Sequence, residues 1–449
     1  MWRSLWNGFR DINIVNFKKI FRAIGGTKSN AIFSNMILLA TGEGIGKLIG
    51  IASLPLITRI YSPGDIGVLS IYNSVVMILL PFGTFKYSDA IILPKTDGFA
   101  LNVSVLGFLI NIIFSFLTVV ILWLFGIELF TIFGITNITM YWWLIGISVF
   151  FINSYEILYN WNLRKGNYKL MAKTKSLQNV TGESTKIILG VFGIKPLGLL
   201  MGAVFARSGG ILTLYSQYKK DWRINSSQLR FSRFKFLFCY YKDFPAYRLA
   251  SYFLFILSTQ SIPIIVASLY GASMTGQVGL AITVLAVPIT LIGNSVGQAY
   301  YSEISKIKNY KTNELFDVTL SVAKKLLMLS IFPFLVVLLF ARPIFILCFG
   351  KEWESSGEFC SILSFFLVTQ FIASPLMNVL VVLKRQSMTI FIHGFRLLSI
   401  FVIYYISNLL GFKIKTFLLI YSVFLSLHYV FVVMRLFNLM KNERIKKGN

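Results

Sequence analysis

Acidic side chains are scarce in this chain: 17 aspartates and glutamates stand against 43 lysines and arginines over 449 residues. Histidine occurs twice and cysteine three times. Each shortage excludes something. No Cys/His cluster has metal-ligand spacing, so no resident metal is expected. No phosphate-cradling glycine loop and no nucleophile elbow appear, so built-in ATP hydrolysis and serine-hydrolase chemistry are not expected, nor is a cofactor. Three cysteines make no disulfide framework. Cys348 and Cys360 flank one loop; the expectation is two separate thiols facing lipid, with a bridge as the alternative. Residues 1–30 lack the short apolar core of a cleavable signal. No polar stretch is long enough to fold as a catalytic domain, so the chain is not expected to be an enzyme.

What the chain has is long apolar runs. It is 56% hydrophobic, with a mean hydropathy of +0.72. Crossing a bilayer takes about 20 mostly apolar residues. Twelve runs qualify: 34–61, 66–86, 99–126, 139–163, 176–194, 196–216, 247–270, 277–301, 322–349, 359–383, 387–408 and 414–437. Run 176–194 is the most polar of them.

The formal charge of +26 would suggest nucleic acid in a soluble protein. Its distribution along the runs says otherwise. With both termini on one side, 32 of the 43 basic residues fall on that side. The opposite face holds Arg59, Lys195, Arg342, Lys351, Lys413 and Lys415. By the positive-inside rule both termini are expected in the cytoplasm. The basic excess then reads as topology and contact with anionic membrane lipids, with no nucleic-acid role.

The runs divide into an N-terminal lobe over 31–216 and a C-terminal lobe over 247–440. A basic, aromatic cytoplasmic linker, 217–246, joins them. A basic arm over 1–30 precedes them and a basic tail over 441–449 follows. Trp2, Leu5, Trp6 and Phe9, interleaved with Arg10, Lys18 and Arg22, suit either a helix lying on the membrane surface or a plain basic arm. The lobes carry a faint internal repeat. Leu54-Pro55 and Ile60-Tyr61 lie over Ile262-Pro263 and Leu269-Tyr270, and Ile66-Gly67-Val68 lies over Val278-Gly279-Leu280 after a gap. Internal repeats are a signature of transporter folds.

Ionisable residues in apolar runs are costly, roughly 2.5–3.5 kcal/mol each at a bilayer centre. Here they recur at helical spacing, which places them on one face. Span one has Glu43, Gly46, Lys47 and Gly50; span four has Asn153, Glu156, Asn160 and Arg164; span five has Asn179, Glu183 and Lys186. Arg207 lies in span six. Asn294 and Gln298 lie in span eight, Gln370 and Asn378 in span ten, His393 and Arg396 in span eleven. For any one stripe, packing is an adequate account. Gly42, Gly46 and Gly50 form a close-packing seam, and Glu43–Lys47 and Glu183–Lys186 are spaced to pair. Taken over seven spans, a shared polar cavity is the better account. Lys47, Lys186, Arg207 and Arg396 then suit a phosphate-bearing head group, joined by Arg59 at the outer end of span one, and Glu43, Glu156 and Glu183 suit salt bridges or protonation. A lone His393 is more often a hydrogen-bonded helix residue than a switch.

Four stretches carry a resemblance. They are Leu54–Gly67 (LPLITRIYSPGDIG), Lys86–Lys95 (KYSDAIILPK), the run from Val278 through Pro288 to Gln298, and Phe349–Gly357 (FGKEWESSG) continuing to Ser374-Pro375 and Leu383–Gln386. On these the chain resembles the polysaccharide-transporter family, the Wzx-type O-antigen and capsule-unit flippases of the multidrug/oligosaccharidyl-lipid/polysaccharide exporter superfamily. The family's usual Arg–aromatic–Glu is here Lys86, Tyr87, Ser88, with Asp89 one place later. The resemblance implies an all-α membrane protein of twelve helices in two pseudo-symmetric six-helix lobes around a central polar cavity. It implies that undecaprenyl-diphosphate-linked repeat units are flipped across the bacterial inner membrane by alternating access, coupled to an ion gradient. Partners implied are a polysaccharide polymerase and a chain-length regulator. A drug or small-cation antiporter, a lipid II flippase and a membrane polymerase are the competing readings.

Overall fold

The computed structural model describes residues 27–305, 307, 312–383 and 385–448. Side chains of 27–41, 43, 45, 231, 312, 313, 386 and 443–448 are not described, so the basic arm, most of the tail and the Glu43 side chain lie outside the described residues. The fold is helical: α1 Thr27–Ile60, α2 Pro63–Leu79, α3 Asp97–Ile132, α4 Trp142–Arg164, α5 Tyr168–Val191, α6 Leu197–Ser208, α7 Ile211–Asn225, α8 Phe231–Tyr240, α9 Leu249–Pro288, α10 Asn294–Ile304, α11 Thr312–Phe349, α12 Glu354–Leu376, α13 Asn378–Val382, α14 Gln386–Leu409 and α15 Ile414–Gly448. Among the described residues, nine helical segments are long and apolar enough to cross a membrane.

One of these, Phe244–Ile304, makes two passes. At Gly271 the backbone adopts φ 82°, ψ 174°, a conformation open to glycine, and the chain reverses. Both limbs of α9 therefore reach the same turn of α2. Ser74 Oγ donates to Gln260 Oε1 on the first limb (3.1 Å), and Ser70 faces Gly279 on the second. Helices α1 and α5 are the remaining expected spans. Of these, α5 alternates apolar residues with Lys173, Lys175, Asn179, Glu183 and Lys186. With them the expected twelve passes are accounted for. The stretch expected as a linker, 217–246, is itself largely helical, since α7 runs on to Asn225 and α8 follows.

The turn from α1 to α2 is fixed by its sequence. Ser62 Oγ accepts from Asp65 N–H, and Asp65 Oδ2 accepts from Ser62 N–H (3.0 Å), with Pro63 opening the helix. This turn and the Gly271 turn meet reciprocally at one end of the bundle. A methyl group added to Gly67 would lie 1.8 Å from the Ala272 carbonyl oxygen, and one added to Gly276 would lie 1.8 Å from that of Pro63. Gly67 and Gly276 therefore play equivalent parts in a reciprocal contact, as do Pro63 and Ala272. This corrects the register of the repeat, which had set Gly67 against Gly279.

The buried cores show how the lobes sit. At the turn end one apolar cluster contains Ile57, Tyr61, Ile66 and Leu199 from the first lobe with Ile262, Trp353 and Phe359 from the second. Trp353 Nε1 donates to the Thr58 carbonyl across the interface (3.1 Å). At the opposite end, called here the linker end, the cores are separate. One is built around Tyr87, Leu101, Trp161 and Tyr218, the other around Tyr300, Leu376, Val379 and Leu436. The two lobes are therefore joined at the turn end, and along one edge by the first limb of α9. Of the two cysteines, Cys348 is exposed and Cys360 is buried against the joined core, both as free thiols. Cys360 thus faces protein, not the expected lipid.

Gly276→Val tests the reciprocal contact. It is expected to lower the thermal midpoint of the purified protein, at an overpacking cost of about 1–3 kcal/mol. Gly394→Ala, where no atom stands within 4 Å of an added methyl, is expected to be neutral or slightly stabilising.

Candidate functional site

Between the lobes, along the C-terminal half of α1, lies a cavity of about 360 Å³. Helix α1 contributes Lys47 and Gly50, α2 contributes Ser70 and Asn73, α5 contributes Asn179, Glu183 and Lys186, and the second limb of α9 contributes Thr283 and Thr290. The α5 residues lie at i, i+4 and i+7, one face of the helix. Both Glu183 carboxylate oxygens are engaged: Lys186 Nζ stands 2.8 Å from Oε1, and Ser53 Oγ donates to Oε2 at 2.8 Å. Glu183 and Lys186 are mostly shielded, with side-chain exposures of 11% and 14%. Among the described residues the lining carries two lysines, Lys47 and Lys186, and one carboxylate, Glu183.

Glycines place these groups. A methyl on Gly46 would stand 2.3 Å from Asn179 Nδ2, and one on Gly42 would stand 2.7 Å from the Ala172 carbonyl. These two bring α1 against α5. Gly50, with nothing within 4 Å, instead opens onto the cavity. On the other side of α5, a methyl on Gly202 would meet Lys186 Cγ at 2.3 Å. The Tyr61 hydroxyl donates to the Lys186 carbonyl (2.7 Å), tying the turn end to the cavity wall.

The other expected site residues are not all here. A second polar group lies in the first lobe toward the linker end. Lys86 Nζ is 3.2 Å from Glu156 Oε1 and 4.2 Å from the centre of the Tyr252 ring. Ser88 Oγ donates to the same Glu156 oxygen (3.0 Å). Asp89 pairs with Arg248 at 2.8 Å, which ties α9 to the first lobe. Burial pushes the Asp89 carboxyl above the ordinary range, against the opposing pull of Lys86 and Arg248. Arg207 is half-buried near the phenols of Tyr72 and Tyr252. Its Nη1 and Asn153 Oδ1 have no hydrogen-bond partner among the described residues.

A third group lies within the second lobe. Arg396 is 3% exposed and donates from Nη1 to the Tyr429 hydroxyl at 2.7 Å. His393 packs against Phe255 and His428 stacks on Phe395. Asn378 donates to the Gly297 carbonyl (3.2 Å), Gln370 is half-buried, and Asn294 and Gln298 are exposed on α10. Arg59 is exposed at the end of α1. So the structure divides the polar stripes among three places, and the cavity takes those of spans one and five. Sequence reasoning missed Asn73 and Ser70, legible as a polar i, i+3 pair in span two. It named Lys86 and Asp89 only as part of a matching stretch and did not single out Arg248; the partners in Lys86–Glu156 and Asp89–Arg248 are far apart in the chain. Among the described residues no three His, Cys, Asp or Glu side chains are grouped to hold a metal ion.

A profile described as polysaccharide biosynthesis protein matches residues 56–358. The chain belongs to that family. No curated protein matches it in sequence. Its fold is that of MATE transporters. A mutant of the MATE transporter VcmN of Vibrio cholerae superposes with a TM-score of 0.59 at 15% identity, over 92% of this chain and 97% of that one. The MATE multidrug transporter DinF-BH gives a TM-score of 0.57 at 16% identity, over 91% and 95%. An inward-facing multidrug resistance MATE transporter of the MOP superfamily gives 0.57 at 14%, over 90% and 95%. Family and fold together describe a multi-pass membrane protein of polysaccharide biosynthesis that is built on the MATE fold.

The Glu183–Lys186 pair yields a double-mutant prediction. Glu183→Met alone strands a shielded lysine and is expected to lower the thermal midpoint, with an upper bound of about 3 kcal/mol. Adding Lys186→Met is expected to recover most of that loss, because both charges are then gone.

Proposed function

We propose that this protein flips undecaprenyl-diphosphate-linked oligosaccharide repeat units, the precursors of O-antigen or capsule, across the bacterial cytoplasmic membrane. The observation that carries the reading is the cavity between the lobes, where two lysines face one glutamate. A diphosphate offers oxygens to both lysines at once, and ammonium groups in a site shielded from bulk water bind phosphate strongly. The family description, polysaccharide biosynthesis protein, supports the same substrate class.

The mechanism follows from how the lobes are joined. By the positive-inside rule the linker end faces the cytoplasm. The lobes part there and meet at the turn end, so the cavity accepts a head group from the cytoplasmic leaflet. The polyprenyl chain stays in lipid. Release on the far side requires the joined core around Trp353 to part while the linker-end cores approach, which is alternating access by rocking of two rigid lobes. The sequence carries no ATP-hydrolysing motif, so an ion gradient is the expected source of drive. A polymerase and a chain-length regulator that receive the flipped unit are the expected partners.

The likeness to a multidrug transporter favours a drug as cargo. For a cationic drug the lining offers little, because the one carboxylate among its described residues is already held by Lys186 and Ser53.

Lys186→Gln and Lys47→Gln are expected to cut translocation about 10- to 100-fold with membrane insertion intact, the equivalent of one charge-assisted hydrogen bond to phosphate. The measurement is accumulation of lipid-linked repeat units on the cytoplasmic leaflet, with loss of surface polysaccharide. Arg59→Gln, outside the cavity, is expected to retain transport. Normal surface polysaccharide in both lysine variants would overturn the assignment of the cavity.

A further inference from the structure

A second concavity lies away from the lobe interface, on the flank of the first lobe. It is a groove of about 600 Å³ between α3, α4 and α7. Phe108 and Leu109 of α3 and Phe150 and Phe151 of α4 make an apolar floor. The wall is α7, which departs from α6 at Gly210, where φ is 83°.

Along α7 the groove-lining residues form one stripe. Ile211, Tyr215, Lys219 and Arg223 follow at intervals of four and share a face. The stripe passes from aliphatic to aromatic to cationic toward the linker end. That is the order of polarity met along a phospholipid from its chain to its phosphate. Trp222, also lining the groove, is the residue type enriched at that interface. Lys219 and Arg223 are exposed. The one acid of α7, Asp221, is turned inward, where it accepts from Trp161 Nε1 (2.9 Å) and stands 3.6 Å from Lys165 Nζ. The lining therefore holds two cations and no carboxylate.

We propose that this groove binds one phospholipid of the surrounding bilayer with an anionic head group. Its phosphodiester sits between Lys219 and Arg223, and one acyl chain lies over Phe108, Phe150 and Phe151. An apolar groove alone would take a zwitterionic lipid equally well; the unbalanced pair of cations selects a net negative charge. The groove shares no lining residue with the central cavity, so the lipid is a resident and not cargo. The inference stands apart from the proposed substrate.

The test uses the purified full-length chain titrated with phosphatidylglycerol and with phosphatidylcholine of the same acyl chains. Bound lipid is counted by native mass spectrometry. Phosphatidylglycerol is expected to bind about tenfold more tightly. K219Q with R223Q is expected to weaken it about 25-fold, fivefold for each cation removed, and K219R with R223K to restore it. Leu109→Trp, which fills the floor, is expected to weaken it without touching a charge. Equal affinity for the two lipids, or unchanged binding in the K219Q/R223Q protein, overturns the proposal. So does displacement of phosphatidylglycerol by undecaprenyl phosphate at lower concentration, which would make the groove a cargo site.

Discussion

The contact on which the rest of the structure depends is backbone against backbone. Two helices approach until the carbonyl of Pro63 meets Gly276 and that of Ala272 meets Gly67. No side chain fits between them. In lipid, apolar helices gain little by leaving their surroundings for one another, so association rests on close packing. Glycine is what makes such an approach available. Around it the apolar core of Tyr61, Ile262 and Trp353 closes over both lobes. Because the contact is at one end, the lobes are free to part at the other. A seam spread evenly along the helices would have made one rigid bundle with no room for the cavity.

The same logic governs the charges. A charge in a bilayer must be paired, hydrated or turned into protein. Glu183 uses both carboxylate oxygens, on Lys186 and Ser53, beside the cavity between the lobes. Glu156 is held by Lys86 and Ser88. Arg396 is turned into the second lobe toward Tyr429. Three solutions to one physical problem give three polar groups, and the cavity between the lobes is the one that faces the lysines of α1 and α5. That is why counting polar stripes overstates the size of a site. The stripe in span eleven reads from sequence like that of span five, yet it is turned into its own lobe, where Arg396 meets Tyr429.

The sequence made the helices legible because composition and run length decide them in a membrane. Run 322–349 and run 414–437 fall within α11 and α15. The glycine seam of α1 was legible as spacing, though spacing could not say that Gly42 and Gly46 pack while Gly50 lines the cavity. The pairing of Asp89 with Arg248 was not legible, since the partners are far apart in the chain and the stretch that holds Asp89 says nothing of where its partner lies. The register of the internal repeat was misread for a related reason. Matching apolar triplets set Gly67 against Gly279. The structure selects Gly276 because the tightest approach is set by the absence of a side chain, not by the hydrophobicity of its neighbours.

Helix α5 shows most clearly how function constrains the fold. Its composition is too polar for a span facing lipid. It is seated in the bundle because glycines admit it on two sides: Gly42 and Gly46 from α1, Gly202 from α6. Replacing its polar face with leucines would make it a better span by composition and would remove Asn179, Glu183 and Lys186 from the cavity. The glycines on its neighbours are therefore tied to the charges on its face. A more hydrophobic α5 would no longer need such close neighbours, and without those neighbours the charged α5 would have to meet lipid. The two features stand or fall together, which places the transport chemistry and the helix packing in the same few residues.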